Sequence, residues 1–92
     1  MHTLSAKLTF YIPYSTSLKD KRQLRSSIIE KTRQKFNASI AEVDTQDMYQ
    51  TLTIGIAVVS GCFSHAKNSL DKIIRFMESH TDAELTKIEE SV

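Results

Sequence analysis

The residues of this chain with the chemistry for metal binding or catalysis are His2, His65, His80, Cys62 and the acidic group Glu42, Asp44 and Asp47. The histidines do not form an H-x-x-x-H pair and no C-x-x-C accompanies them, so the convergent nitrogen and sulfur ligands of a transition-metal site are missing. The three carboxylates offer oxygen ligands to a hard cation. Their segment nevertheless lacks the alternating acids and central glycine of a calcium loop, and a solvated turn is expected. Cys62 and His65 stand three residues apart at the start of a helix, where the macrodipole favours a thiolate. A nucleophile also needs an oriented base and an oxyanion site. Neither is visible, so Cys62 is expected to be a semi-buried structural cysteine. The two glycines are isolated and cannot build a phosphate-cradling loop. No catalytic residue, metal or cofactor is expected, and the chain does not read as an enzyme.

Basic residues carry a stronger signal. The net charge is only +1, which argues against indiscriminate nucleic-acid binding. Its distribution is uneven: Leu18 to Phe36 holds seven basic residues against two acidic ones, leaving five basic and nine acidic residues elsewhere. Lys19, Arg22 and Arg33, with Ser26 between them, fall on one face of a helix at spacings of i, i+3, i+7 and i+14. Phosphate contact is the chemistry this pattern suits, with backbone donors added by the helix start and its Ser15-Thr16-Ser17 turn. A solvated basic face balanced by acids elsewhere is the competing reading.

The elements that must position these groups follow from hydrophobic period. Leu4, Ala6, Leu8, Phe10 and Ile12 alternate with polar residues as a half-buried strand does, and Pro13 ends the pattern. Ser17 and Asp20 form a capping-box pattern opening a helix from Leu18 to Phe36, with Asn37 as its C-cap. Its apolar stripe of Leu18, Leu24, Ile28, Ile29 and Phe36 is interrupted by Lys21, Arg25 and Thr32. Ala38 to Val43 reads as a short strand, Asp44 to Asp47 as a turn, and Thr51 to Val59 as a strongly alternating strand. After Ser60-Gly61, Phe63, Ala66, Leu70, Ile73, Ile74 and Met77 repeat at helical spacing. Phe76 lies off that stripe, against the neighbouring helix. Ala83 to Ile88 reads as a weak edge strand.

This order is that of an α+β, ferredoxin-like β-α-β-β-α-β plait. It predicts an antiparallel sheet ordered 4-1-3-2 with two helices on one face, and residues 1–92 as a single domain. The two strongest strands then lie centrally. No apolar run approaches the ~18 residues of a membrane span and no signal-peptide core is visible, so a cytoplasmic protein with no membrane partner is expected. The open sheet face lacks the aromatics that stack RNA bases, since Tyr11 stands alone among Ser5, Lys7 and Thr9. Its small residues Ala41, Val43, Thr53, Gly55, Ala57 and Val59 instead suit pairing into a homodimer. With Ile40 inward, Glu42 points inward too, beneath Lys21 and Arg25 on the first helix. A buried carboxylate needs a partner, which predicts an ion pair from Glu42 to Lys21 or Arg25, as a structural clasp or a partner site.

Several strings carry a resemblance: Ser17-Leu18-Lys19-Asp20-Lys21-Arg22, Lys35-Phe36-Asn37, Ala41-Glu42-Val43-Asp44, Gln46-Asp47, Gln50 and Ile54-Gly55-Ile56-Ala57-Val58-Val59-Ser60. Together, from about Leu4 to Ile88, they resemble the YlxP-like family of small bacterial proteins. The resemblance implies a ferredoxin-like cytosolic protein of unassigned biochemical function. Genes of that family often lie beside those for translation and ribosome maturation, which implies rRNA or the ribosome as a partner. The chain departs from the family's pattern at Arg25 and Thr32, where aliphatic residues are usual.

Overall fold

The computed structural model describes residues 1–91. Its elements run β1 (His2–Tyr11), α1 (Leu18–Lys35), β2 (Ser39–Glu42), β3 (Thr51–Ser60), α2 (Phe63–Ser79) and β4 (Glu84–Ser91). The sheet order is β2-β3-β1-β4 with every neighbour antiparallel, the plait expected from the element order. No described helix is long and apolar enough to cross a membrane.

The alternation in β1 and β3 sends Leu4, Ala6, Leu8 and Phe10 and Leu52, Ile54, Ile56 and Val58 to the helical side, where all are buried. Both central strands are ten residues long and pair over their full length, His2 with Ser60 through Tyr11 with Thr51. Ala66, Leu70, Ile73, Ile74 and Met77 of α2 complete the core over them. Burying a side chain of this size contributes about 1.5–3 kcal/mol, so the β1–β3–α2 sandwich supplies most of the apolar drive.

The first helix is a weaker apolar surface and uses other means. Ser17 caps it by accepting from the Asp20 N–H at 3.1 Å. Asp20 reaches back one residue beyond the cap, taking the Thr16 N–H at 3.0 Å and its hydroxyl at 2.8 Å. Those bonds hold the carboxyl of this exposed residue below its usual range. Thr32 sits fully buried in the apolar stripe with its hydroxyl donating to the Ile28 carbonyl at 2.7 Å, so its polar atom is satisfied within the helix.

Three element boundaries and the burial of one residue differ from the sequence expectation. The helix stops at Lys35, and Phe36, not Asn37, is the C-cap: its backbone turns extended so that its ring can pack on the core. β2 shortens to Ser39–Glu42, because Val43 still donates its N–H to the Thr53 carbonyl at 2.9 Å but its own carbonyl turns to accept from Thr45 and begins the loop. β4 runs on to Ser91, since its partner β1 offers open ladder positions as far as Ser5. Thr53 lies on the outer side of the sheet yet is buried, because Thr45 folds over it. The Thr45 hydroxyl accepts from the Thr53 N–H at 3.0 Å and donates to the Thr53 hydroxyl at 3.1 Å.

Replacing the cap, Ser17→Ala, is expected to destabilise the domain by about 1 kcal/mol, the usual effect of losing an N-cap acceptor. Denaturant titration by circular dichroism checks this, and an unchanged midpoint would remove Ser17 from the account of α1.

Candidate functional site

A chain of packed polar groups lies at the end of the molecule where α1 begins and β2 ends. Ile40 is inward, so alternation brings Glu42 inward as well, with only 6% of its side chain exposed. Lys21, one turn into α1, is 1% exposed and places its Nζ 2.8 Å from Glu42 Oε2. Arg25, one turn later, donates from Nη1 to Glu42 Oε1 at 3.0 Å. Where a single partner was expected, the carboxylate therefore meets both cations.

The Lys21 ammonium has a second set of neighbours that sequence reasoning missed. It donates to the backbone carbonyls of Thr45, Met48 at 2.7 Å and Thr51 at 3.0 Å, with the Gln46 carbonyl further off at 3.4 Å. An ammonium has three protons. The three close carbonyls take them, which leaves Glu42 Oε2 in charge contact but without an aligned hydrogen bond. Burial pushes the Glu42 carboxyl upward, but the close ammonium of Lys21 and the charged hydrogen bond from Arg25 outweigh it and hold the group below its ordinary 4.5. No periodicity could have revealed the carbonyl contacts, because backbone oxygens have no sequence signature.

Asp44 takes a left-handed backbone, φ 65°, where the chain turns out of β2. Its carboxylate crosses the open sheet face to the Lys7 ammonium at 2.7 Å. Val43 lies over Gly55, where an added Cβ would come within 3.2 Å of it. The outer face is thus a shallow concavity of about 690 Å³ whose small residues Ala41, Gly55 and Ala57 adjoin an ion pair. Thr53 is withdrawn from this face by the loop.

The basic residues divide. Lys19 and Arg22 line a depression of about 620 Å³ along the outer side of α1, with Ser26, Ser27 and Lys31. Arg33 is separated from them: its Nη2 donates to the Ile40 carbonyl on the edge of β2, and it borders the groove beside Arg25 and Glu42. The alkyl reach of arginine across an open strand edge explains the difference from the helical wheel.

Cys62 is a correction. It is exposed rather than semi-buried, because it is the N-cap of α2 and the buried stripe begins only at Ala66. Its Sγ lies 3.2 Å from the Ser64 hydroxyl. That bond, followed by the His65 and Ser64 backbone N–H groups, draws the thiol below its usual range. His65 contributes a backbone donor here. His2 packs edge-on against Phe63, and His80 stacks on Phe76. Among the described residues, no three His, Cys, Asp or Glu side chains converge as metal ligands.

Comparison with known proteins gives concordant results. A family described as "Protein of unknown function (DUF503)" matches residues 3–90. The uncharacterized protein YlxP of Bacillus subtilis (strain 168) is 36% identical over 70 residues, covering 76% of each chain. A de novo designed protein with ferredoxin fold, solved by solution NMR, superposes over 100% of this chain and 85% of its own with a TM-score of 0.61 at 18% identity. That likeness is one of fold alone.

Lys21→Met is expected to destabilise the domain by about 3–5 kcal/mol, as removal of one member of a buried pair does. Amide exchange should accelerate across residues 43–51, and intact protection there would refute the clasp. The Glu42 contribution has a definite sign with pH. Its folded value is depressed, so the unfolded chain takes up protons first as pH falls. The stability gap between the native protein and Glu42→Gln should be full above 4.5 and shrink as acidification passes through the depressed folded value. A gap independent of pH would contradict this.

Proposed function

The chain belongs to the YlxP-like family of proteins of unknown function (DUF503), and we propose that it is a non-enzymatic RNA- or ribosome-associated protein. In this reading it acts in the cytoplasm, in translation or ribosome maturation, through the basic face of α1. One observation carries the proposal: the cations of the sheet and the clasp, and Lys67 on α2, are neutralised, while a set on the surface of the two helices is not. Lys7, Lys21, Arg25, Lys67 and Lys87 each have a carboxylate oxygen 2.7–3.5 Å away. Lys19, Arg22, Lys31 and Lys35 on α1 and Lys72 and Arg75 on α2 have no carboxylate partner among the described residues.

Paired charges cancel at a distance, whereas unpaired ones attract a phosphate backbone even on a protein of net charge +1. Lys19 and Arg22 are the exposed pair nearest the start of α1, whose dipole adds to theirs. Glu30 lies further along the same depression and biases contact toward the N-terminal half. Gene neighbourhoods in the family favour the same partner. Self-association is a second reading, favoured by the uncovered row of Ala41, Gly55 and Ala57 and by Val59, which is 63% exposed. There, light scattering should find a dimer that Ala57→Lys dissociates.

Filter binding with structured rRNA at several salt concentrations tests the first reading. Binding should weaken as salt rises, and Lys19→Glu/Arg22→Glu should flatten the logarithmic salt slope by at least about 1, as loss of phosphate contacts requires. Absence of binding at low salt, or a doubly substituted protein that binds like the native one, would refute it.

A further inference from the structure

A second cluster lies away from the clasp and from Lys19 and Arg22, where the end of α1 meets the last turns of α2. The Phe36 ring meets the edge of Phe76 at 5.5 Å between centroids and 78° between planes. Phe76 stacks on His80 at 4.0 Å and 22°. Lys35 Nζ stands 5.0 Å from the centre of Phe76 and 5.8 Å from that of Phe36. Lys72 and Arg75 complete an open cleft of about 430 Å³, and no carboxylate lines it. That volume falls within the roughly 300–1,000 Å³ of small-ligand clefts.

Dipole neutralisation accounts for part of this charge only. Lys35 ends α1, where a cation is favourable, but the last turn of α2 contains no basic residue. Lys72 and Arg75 stand earlier in α2, exposed and without carboxylate partners among the described residues. The protonation of His80 follows from its neighbours. The Ser79 hydroxyl donates to the Phe76 carbonyl at 2.9 Å. His80 Nδ1 lies 2.8 Å from the same carbonyl and 2.9 Å from that hydroxyl oxygen, a geometry that suits the Nδ1–H tautomer. In the neutral ring Nε2 is then the acceptor.

We propose that this cleft binds a nucleotide unit, its base stacked on the exposed His80 ring and its phosphate held by Lys35, Lys72 and Arg75. The unit is either a free nucleotide or one residue of an RNA strand, and in the second form the proposal rests on the RNA reading above. The chemistry selects this class. Inorganic phosphate would leave the aromatic stack unused, and an uncharged ring would leave three cations unmatched. A nucleotide engages both.

Titration followed by NMR of the Phe36, Phe76 and His80 ring signals tests the cleft with AMP, with a short single-stranded oligoribonucleotide and with inorganic phosphate. AMP and the oligonucleotide should shift these signals, and phosphate should bind more weakly than either. His80→Ala should weaken both by roughly fivefold or more, the lower end of what one base stack contributes. Lys72→Glu/Arg75→Glu, which alters two exposed positions and spares the core, should abolish the shifts. Unmoved ring signals, phosphate binding as tightly as AMP, or native affinity in these variants would overturn the proposal. If rRNA binding depends on Lys19 and Arg22 but is indifferent to the cleft variants, the cleft proposal falls and the RNA reading stands. If AMP fills the cleft while no RNA binds, the cleft stands for free nucleotides and the RNA reading falls.

Discussion

The buried ammonium of Lys21 is the constraint around which one end of this protein is arranged. Withdrawing a charge from water is costly, and it is tolerated here because five oxygens surround it: one carboxylate oxygen of Glu42 and four backbone carbonyls. Three of those carbonyls belong to the loop between β2 and β3, which has no helix or strand of its own, and the fourth to Thr51, the first residue of β3. Without the ammonium, the Thr45 carbonyl would keep the Met48 N–H at 3.1 Å, while a buried carbonyl left without a partner costs about 1–3 kcal/mol. The same contacts fix where β2 ends and how the loop crosses the sheet. They also set Thr45 over Thr53 and Asp44 within reach of Lys7.

The polar interruptions of α1 are therefore the means by which a weakly apolar helix is docked. Lys21 and Arg25 converge on Glu42, and Thr32 satisfies itself on the Ile28 carbonyl. This division also shapes the surface. Two cations of α1 are consumed by the clasp and Arg33 by the Ile40 carbonyl, so the helix presents a narrower basic face than its composition suggests.

How much of this was legible depended on the kind of signal. Strict alternation in β1 and β3 and the apolar stripe of α2 from Ala66 onward identified the core side chains, because burial of one face imposes a period that composition records, whereas Phe63 at the head of that stripe is exposed in the first turn of α2. The inward turn of Glu42 followed from the same alternation once Ile40 was placed in the core. What escaped were contacts with backbone groups: the carbonyls around Lys21 and the Ile40 carbonyl taken by Arg33. Backbone acceptors exist at every position, so nothing in the residue types distinguishes those that will be used. Cys62 was misplaced for a related reason, since a helix cap lies outside the periodic stripe that signals burial. The aromatic cluster at Phe36, Phe76 and His80 was visible only as an off-stripe phenylalanine. Its other members come from the two helix ends, whose meeting is a matter of tertiary geometry.

The ring of carbonyls has a consequence for the order in which the chain assembles. Lys21 is separated by 24 to 30 residues from the acceptors it organises. The β2–β3 hairpin makes only part of its tip's hydrogen bonds itself, and the protons for the rest arrive on a helix from the other half of the molecule. A peptide containing only the hairpin would keep these local bonds but lack the ammonium that gathers the Met48 and Thr51 carbonyls. In the whole chain, completing the loop must wait for α1 to dock, so part of an entropic cost usually met locally in a hairpin is deferred to a long-range step. Substitutions in residues 44–50 should accordingly change the unfolding rate far more than the folding rate, and the reverse pattern in kinetic measurements would place the tip in the folding nucleus.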